Sequence, residues 1–290
     1  MKIDRQNLFS FLLIALLMMT PVAFAEEEHE EESLDAISQK LENPLTTLWS
    51  LSFQNNTDIN NGDLIEGSET ANAFLFQPAL PIPVGEHDQF VFTARPVFPI
   101  VTQPVFNTDV PGGIDGRTTG FGDMQILSLF GPSKPTGFVW GAGITMKLPT
   151  ASNDSLGQNK WQAGPAVMAF YIKRPWTSGV LVQHWSSFAG DDDAPDRNRT
   201  DIQYIIRRGL PHAWSIGMGP TVTIDWEKDS ENNLTLPVGL GLTKTVRFGR
   251  VPTKLRLEAH YSLIKPELYG SEWTIRIQVT PIIKSPFRSD

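Results

Sequence analysis

Cysteine is absent from the 290 residues, so no disulfide framework holds this chain together and no thiol chemistry is available to it. Positive charge is scarce. Lys and Arg number 24 against 32 Asp and Glu, a formal net charge of −8. A general nucleic-acid binder is expected to be basic, so the balance speaks against that class. Beyond the first two dozen residues no apolar run approaches the length of a spanning helix. That absence does not decide between a water-soluble protein and a membrane β-barrel, whose signature is alternation and is weak in each segment. Gly-rich phosphate loops and zinc-type His/Asp/Glu spacings are missing as well, and no cofactor or resident metal is expected.

The one long apolar stretch is terminal. MKIDRQNLFSFLLIALLMMTPVAFA carries Lys2 and Arg5, then an apolar run from Leu8 to Met19, then Ala23-Phe24-Ala25. This is the pattern of a cleaved secretory signal, too short for an anchor. Residues 1–25 are therefore expected to be removed. Without Lys2, Arg5 and Asp4, 22 basic and 31 acidic side chains remain, a formal −9. Residues 26–43 read as an acidic periplasmic tail. It opens on EEEHEEE, a solvated run in which His29 among six glutamates is at most a weak cation site. Leu34, Ile37 and Leu41 follow at helical spacing, which fits a short helix near the mouth of the fold or a plain continuation of the tail.

From Pro44 onward, residues 44–290, the chain alternates. In 252–263, PTKLRLEAHYSL, the apolar row Leu255, Leu257, Ala259, Tyr261 and Leu263 interleaves with Lys254, Arg256, Glu258, His260 and Ser262. On a strand these rows face opposite sides of a sheet. Residues 136–148 set Phe138, Trp140, Ala142, Ile144 and Met146 against Val139, Gly141, Gly143, Thr145 and Lys147 in the same way. Twelve such runs lie at about 44–54, 72–80, 88–101, 121–130, 136–148, 160–172, 176–188, 200–208, 212–226, 234–246, 252–263 and 272–283. Longer polar connections (55–71, 102–120, 149–159, 189–199, 227–233, 264–271) alternate with tight ones. Trp and Tyr gather near run ends, at Trp49, Trp140, Trp161, Trp176, Trp214, Trp226, Tyr261 and Trp273. Alternating loop lengths, a Gly/Thr-rich polar row and an aromatic girdle predict an all-β fold, a single antiparallel transmembrane β-barrel of twelve strands, with ten or fourteen as alternatives. The competing reading is a secreted soluble β-protein with the oily face turned inward.

The punctuation of these runs carries a resemblance. Asn43-Pro44-Leu45 leads to Ser52-Phe53-Gln54-Asn55, then Gln77-Pro78, Arg95-Pro96 and Pro99. Gly120-Phe121-Gly122-Asp123, Leu148-Pro149-Thr150-Ala151, Leu156-Gly157, Lys160-Trp161, Gly164-Pro165, Trp185-Ser186 and Phe188-Ala189-Gly190-Asp191 follow in order. Together they resemble the bacterial outer-membrane transporter family labelled as the meta-pathway phenol-degradation barrel, also misnamed neuromedin U, over roughly 43–283. The resemblance implies a Gram-negative outer-membrane location and passage of small aromatic or apolar compounds. It departs at the C-terminus, where KSPFRSD replaces the terminal aromatic of barrel-assembly signals and leaves Phe287 or Ile282-Ile283 to serve.

With the apolar rows turned to lipid, the inward row collects Arg95, Lys147, Arg207, Lys254, Arg256 and Arg276, against Asp225 and Glu258, with His260 and Gln278 beside them. A basic lumen concentrates anionic solutes and repels cations. The alternative is an internal salt-bridge network around Glu258 that merely fills a narrow barrel. The expected function is passive uptake of small organic molecules. The expected partners are outer-membrane lipid and lipopolysaccharide, the assembly machinery and small organic solutes, with no nucleic acid.

Two other classes stay open. His184 and Ser186, two apart on one strand face with Asn198 in the next connection, resemble the His-x-Ser pair of outer-membrane phospholipase, in which a base activates a serine for acyl transfer. A structural or adhesive barrel would act through loops 55–71 and 102–120. In GDDDAPDRNR, Asp191, Asp192, Asp193 and Asp196 lack the spacing and the Gly of an EF-hand and read as a solvated loop.

Overall fold

The computed structural model describes residues 33–43, 45–106, 113–283 and 285. The expectations for the signal at 1–25, for His29 in the acidic run and for Phe287 fall outside these residues.

Alternating segments bounded by Gly, Pro and Asn become strands because one face of each can be apolar while the other stays polar. In chain order they are β1 (Trp49–Asn61), β2 (Glu69–Val84), β3 (Phe90–Phe106), β4 (Ile114–Phe121), β5 (Met124–Pro132), β6 (Gly137–Leu148) and β7 (Lys160–Lys173). After them come β8 (Trp176–Gly190), β9 (Asn198–Leu210), β10 (Trp214–Met218), β11 (Thr221–Asp225), β12 (Leu234–Phe248), β13 (Val251–Ile264) and β14 (Gly270–Ile283). Every pairing is antiparallel, and β14 returns to β1, closing the sheet into a barrel. Both β4 and β5 pair with β3, and both β10 and β11 lie between β9 and β12. Each of these couples is one interrupted stave, so the barrel has twelve staves, the expected number. Among the described residues no helix is long and apolar enough to cross a membrane.

The interruptions have local causes. Pro220 has no N–H for the ladder. The freed Gly219 carbonyl instead accepts from Arg276 Nη1 at 2.9 Å and from Gln203 Nε2 at 3.2 Å. Between β4 and β5, Asp123 leaves the ladder to anchor a loop: Oδ1 accepts from the Ala151 N–H at 3.2 Å and Oδ2 from the Gln158 N–H at 2.7 Å. The Gly120-to-Asp123 and Leu148-to-Gly157 motifs thus hold loop 149–159 against the barrel rim.

The alternation resolves as outside and inside. On β13, Leu257 and Leu263 are exposed outward, whereas Lys254, Glu258 and His260 are buried inside. On β6, Phe138, Trp140 and Ile144 are exposed, and Val139, Thr145 and Lys147 are buried. Trp140, Trp161, Trp176, Trp214, Trp226 and Trp273 all stand on the outside. Trp185 does not: it points inward and is 1% exposed.

Three departures from the sequence expectations stand out. β1 begins at Trp49 rather than 44, because Asn43 and Leu45 belong to a segment packed within the barrel. Most of 55–71 is strand rather than loop, since β1 runs to Asn61 and β2 starts at Glu69. Likewise β3 reaches Phe106 and β4 starts at Ile114 within the expected loop 102–120.

Leu34–Lys40 forms a single short helix, α1, started by Ser33, whose Oγ accepts from the Ala36 N–H at 3.2 Å. It sits at the end of the barrel that carries the short connections. Arg174 Nη2 in the β7–β8 turn donates to the Asp35 carbonyl at 2.8 Å, and the Ala213 N–H beyond β9 donates to Asp35 Oδ1 at 2.9 Å.

Candidate functional site: the barrel lumen

Behind α1 the chain turns into the lumen, and its next residues meet two different walls. Glu42 meets a charged one. Its carboxylate lies 3.0 Å from Lys254 Nζ, 3.3 Å from Arg207 Nε and 3.8 Å from Arg256 Nη2. Lys254 Nζ also donates to the Leu41 carbonyl at 2.9 Å. Burial by itself would raise the Glu42 carboxyl, but Lys254, Arg207 and Arg256 outweigh it and hold it lowered to about 2.

Deeper in the same wall, Glu258 is 0% exposed. Its Oε1 takes a short hydrogen bond from Arg207 Nη2 and lies 3.7 Å from Arg256 Nε. Its Oε2 accepts from Arg276 Nη1 at 3.3 Å and lies 3.1 Å from His260 Nε2. Arg207 Nη1 donates to Thr243 Oγ1 at 2.9 Å, and Arg256 Nη1 to Gln278 Oε1 at 3.3 Å. These large side chains lie across inward-facing glycines of β12. A Cβ on Gly241 would come within 2.4 Å of Glu258 Cγ, and one on Gly239 within 2.3 Å of His260 Cδ2. The internal salt-bridge network around Glu258, weighed as the alternative to an open basic lumen, is therefore present. It unites six of the eight lumen residues singled out from the sequence: Arg207, Lys254, Arg256, Glu258, His260 and Arg276. Four cations face the two carboxylates of Glu42 and Glu258, which leaves the cluster with a surplus of positive charge.

The opposite wall is apolar. Val91, Leu127, Leu129, Val139, Ala166, Met168, Phe170, Ile172 and Leu181 point inward from β3 and β5–β8 and form one buried cluster. Leu45, 1% exposed, completes it. Its side chain seats over glycines: a Cβ on Gly131 would lie 2.7 Å from Leu45 Cδ1, and one on Gly141 would lie 3.1 Å away. Asn43 fixes the turn between the two contacts, donating from Nδ2 to the Lys134 carbonyl at 2.7 Å and accepting the Leu45 N–H at 3.0 Å. Residues 33–43 and Leu45 thus plug the short-turn end, with Glu42 latched to the charged wall and Leu45 pegged into the apolar one.

The remaining two expected residues, Arg95 and Lys147, stand apart from the Glu258 network. Lys147 Nζ lies 4.6 Å from the centre of the Trp185 ring. Farther toward the long-loop end, Arg199 Nε pairs with Asp201 Oδ1 at 2.7 Å.

Glu42, Leu45, Asp201 and Trp185 were not legible as lumen residues. The signal for the first two is the Leu34/Ile37/Leu41 spacing followed by Glu42-Asn43-Pro44-Leu45, a short amphipathic turn just ahead of the first strand.

The competing chemistries fare differently. His184 and Ser186 do share a face, the outer one, but His184 Nδ1 is bonded to Thr200 Oγ1 at 2.9 Å. The Asn198 side chain does not orient His184. Asp191 Oδ1 accepts the Asp193 N–H and Asp196 Oδ1 accepts from Ser187 Oγ, and among the described residues no three His, Asp or Glu are grouped to hold a metal ion.

Comparison with known proteins gives a likeness of fold. No family model and no curated protein matches the chain. Among solved structures, the COG4313 outer membrane channel from Pseudomonas putida F1 superposes with a TM-score of 0.60 at 13% identity, covering 81% of this chain and 94% of that one. A mutant of the Rh. blastica porin covers 81% of this chain and 100% of its own at 8% identity, with a TM-score of 0.23. The chain folds as a closed, twelve-stave antiparallel β-barrel of the architecture seen in that Pseudomonas channel.

Proposed function

We propose that this protein is an outer-membrane channel for the passive uptake of small organic molecules, closed at rest by its own N-terminal segment. The observation that carries the reading is the lumen, a cationic wall facing an apolar wall inside a barrel whose outer surface is apolar and ringed with tryptophan. The apolar outside suits a lipid and lipopolysaccharide environment in a Gram-negative outer membrane, entered after removal of residues 1–25 and with the help of the barrel-assembly machinery. The short connections and α1 then face the periplasm. The surplus of positive charge favours anions over cations, and the apolar wall admits the aromatic or aliphatic part of an organic solute. A rigid network around Glu258 fixes the shape of one wall, so the moving part is the plug.

Ion conductance and reversal potential of the refolded protein in a planar bilayer, with and without benzoate, test this. The reading expects small anion-selective steps that grow in the Glu42→Gln protein and are shifted or blocked by benzoate. A folded barrel that stays silent to ions and to organic solutes, even with Glu42 replaced, refutes it.

A further inference from the structure

The plug touches the β8–β10 side of the barrel at two places, Asp35 at the Ala213 N–H and Glu42 at Arg207. Between them the surfaces part and leave a cavity of about 260 Å³ at the short-turn end. Asp35, Ser38, Gln39 and Glu42 line it from the plug, and Thr177, Arg207, Gly209 and Ser215 line it from the barrel. Gly209 makes a dent in that wall. A Cβ there would find only the Pro175 carbonyl oxygen within 4 Å, at 3.4 Å.

The charged groups of the lining already have partners. Asp35 Oδ1 accepts the Ala213 N–H, Arg174 donates to the Asp35 carbonyl, and Arg207 is shared between Glu42 and Glu258. The lining's two carboxylates, Asp35 and Glu42, balance its two guanidinium groups, Arg174 and Arg207, so no net charge is left for an ion to answer. What is left unanswered is neutral. Ser215 is 4% exposed, and its Oγ has no hydrogen-bond partner. Buried Ser38 and Thr177 add two further hydroxyls, and Gln39 adds an amide. Hydroxyls and amides both donate and accept, so their complement is a molecule whose groups do the same. Pro175, Leu210 and Pro211 give the same cavity apolar edges, which suit the C–H faces of a ring.

We propose that this cavity binds one small neutral polyol of monosaccharide size, and that the occupant holds the plug docked. The volume lies just below the ~300–1,000 Å³ of sites for drug-sized ligands, which limits the occupant to a single small ring. Plug and barrel both supply contacts, so withdrawal of the plug dismantles the site. The polyol therefore binds the docked state alone, and at ten times its Kd it lowers the undocked population about tenfold. The inference rests on the plug being the moving part, as in the channel reading above, and adds to that reading a ligand that favours closure.

The test is titration calorimetry of the folded barrel with myo-inositol, in a polyoxyethylene detergent that carries no sugar head. Cyclohexanol supplies the same ring with one hydroxyl, and myo-inositol phosphate the same ring with charge. The expected result is saturable binding of myo-inositol, tighter than that of either comparator. Gly209→Val fills the dent and is expected to abolish it. Ser215→Ala, a smaller change, is expected to weaken it about fivefold. Tryptic cleavage after Lys40 reads the docking of the plug. Myo-inositol at ten times its Kd is expected to slow that cleavage about tenfold in the wild type and not at all in Gly209→Val. A flat isotherm means that water alone fills the cavity and overturns the proposal. So do binding undiminished in both variants, tighter binding of cyclohexanol or of the phosphate, and a cleavage rate indifferent to bound myo-inositol. None of these readouts needs conduction. A barrel that carries no solute yet binds the probe sinks the channel reading and leaves the site standing, and a conducting barrel with a flat isotherm does the reverse.

Discussion

The two walls of the lumen are made by the same device, strands that alternate outward apolar and inward residues, and they end as opposites. On β12–β14 the inward row is charged and tied into one ion-pair network, with Glu258 at its centre and glycines on β12 making room for long side chains to lie flat. On β3 and β5–β8 the inward row is largely aliphatic and aromatic, and of its cations Lys160 pairs with Asp196 whereas Arg95 and Lys147 have no carboxylate of their own among the described residues. A network of paired charges is rigid because every member holds another. Alternation alone specifies which residues look inward; the number of carboxylates opposite decides whether that face closes into an ion-pair network.

The comparison is most easily broken at Glu258. Glu258→Gln leaves Arg207, Arg256 and Arg276 buried around a neutral amide, and removal of one partner from such a buried network costs about 3–5 kcal/mol. Urea unfolding of the reconstituted barrel is expected to show a loss of that order. An unchanged midpoint would mean that solvent, not Glu258, balances those guanidinium groups. On the other wall, Leu45→Ala empties the dimple over Gly131 and Gly141, a loss of roughly 2–4 kcal/mol on the scale of large-to-small core substitutions. Because Leu45 belongs to the plug, that loss is expected to appear as raised conductance rather than as barrel unfolding. A silent L45A channel with an unaltered melting profile would show that the peg does not hold the plug.

Protonation reads the charged side of the plug alone. The Glu42 carboxyl, ordinarily near 4.5, is held at about 2 when docked. A lowered value means that its latch is at full strength above the ordinary value, weakens below it and is gone once the pH falls through about 2. Conductance is therefore expected to stay low at neutral pH and to rise as the solution is acidified below about 4, with Glu42→Gln high and flat over the same range. An acid-induced rise that persists in E42Q would place the titrating group elsewhere. The smallest effect belongs at the long-loop rim. Lys160 reaches Asp196 at 3.5 Å across an exposed carboxylate, and Asp196→Ala is expected to change stability by less than about 0.5 kcal/mol and conductance not at all.

Much of this is legible in the sequence. The outward row Leu255, Leu257, Tyr261 and Leu263 and the inward row Lys254, Glu258 and His260 follow from period two, and the same reasoning locates all twelve staves. The broken stave at Gly219-Pro220 keeps its phase across the break, so one continuous run at 212–226 predicts its faces without revealing the gap. What resisted reading was long-range. Glu42 is one carboxylate among many in an acidic leader, and nothing local says that it meets Lys254 from the far end of the chain. Trp185 shares its residue type with a girdle that faces out, and only the phase of β8 sends it inward. Arg95 and Lys147 look like the other lumen cations in sequence. Their difference lies in what is missing opposite them, and pairing across a barrel interior has no one-dimensional trace.

The plug ends at Leu45 and the first stave begins at Trp49, so a tether of three residues joins the closing element to the wall it closes. A leash that short confines the undocked segment to a small volume, an effective concentration in the millimolar range or above. Closure is thus a unimolecular event, indifferent to how densely the protein is packed in its membrane. A free peptide copied from residues 33–45 would have to be supplied at comparable concentration to compete with the segment already on its leash.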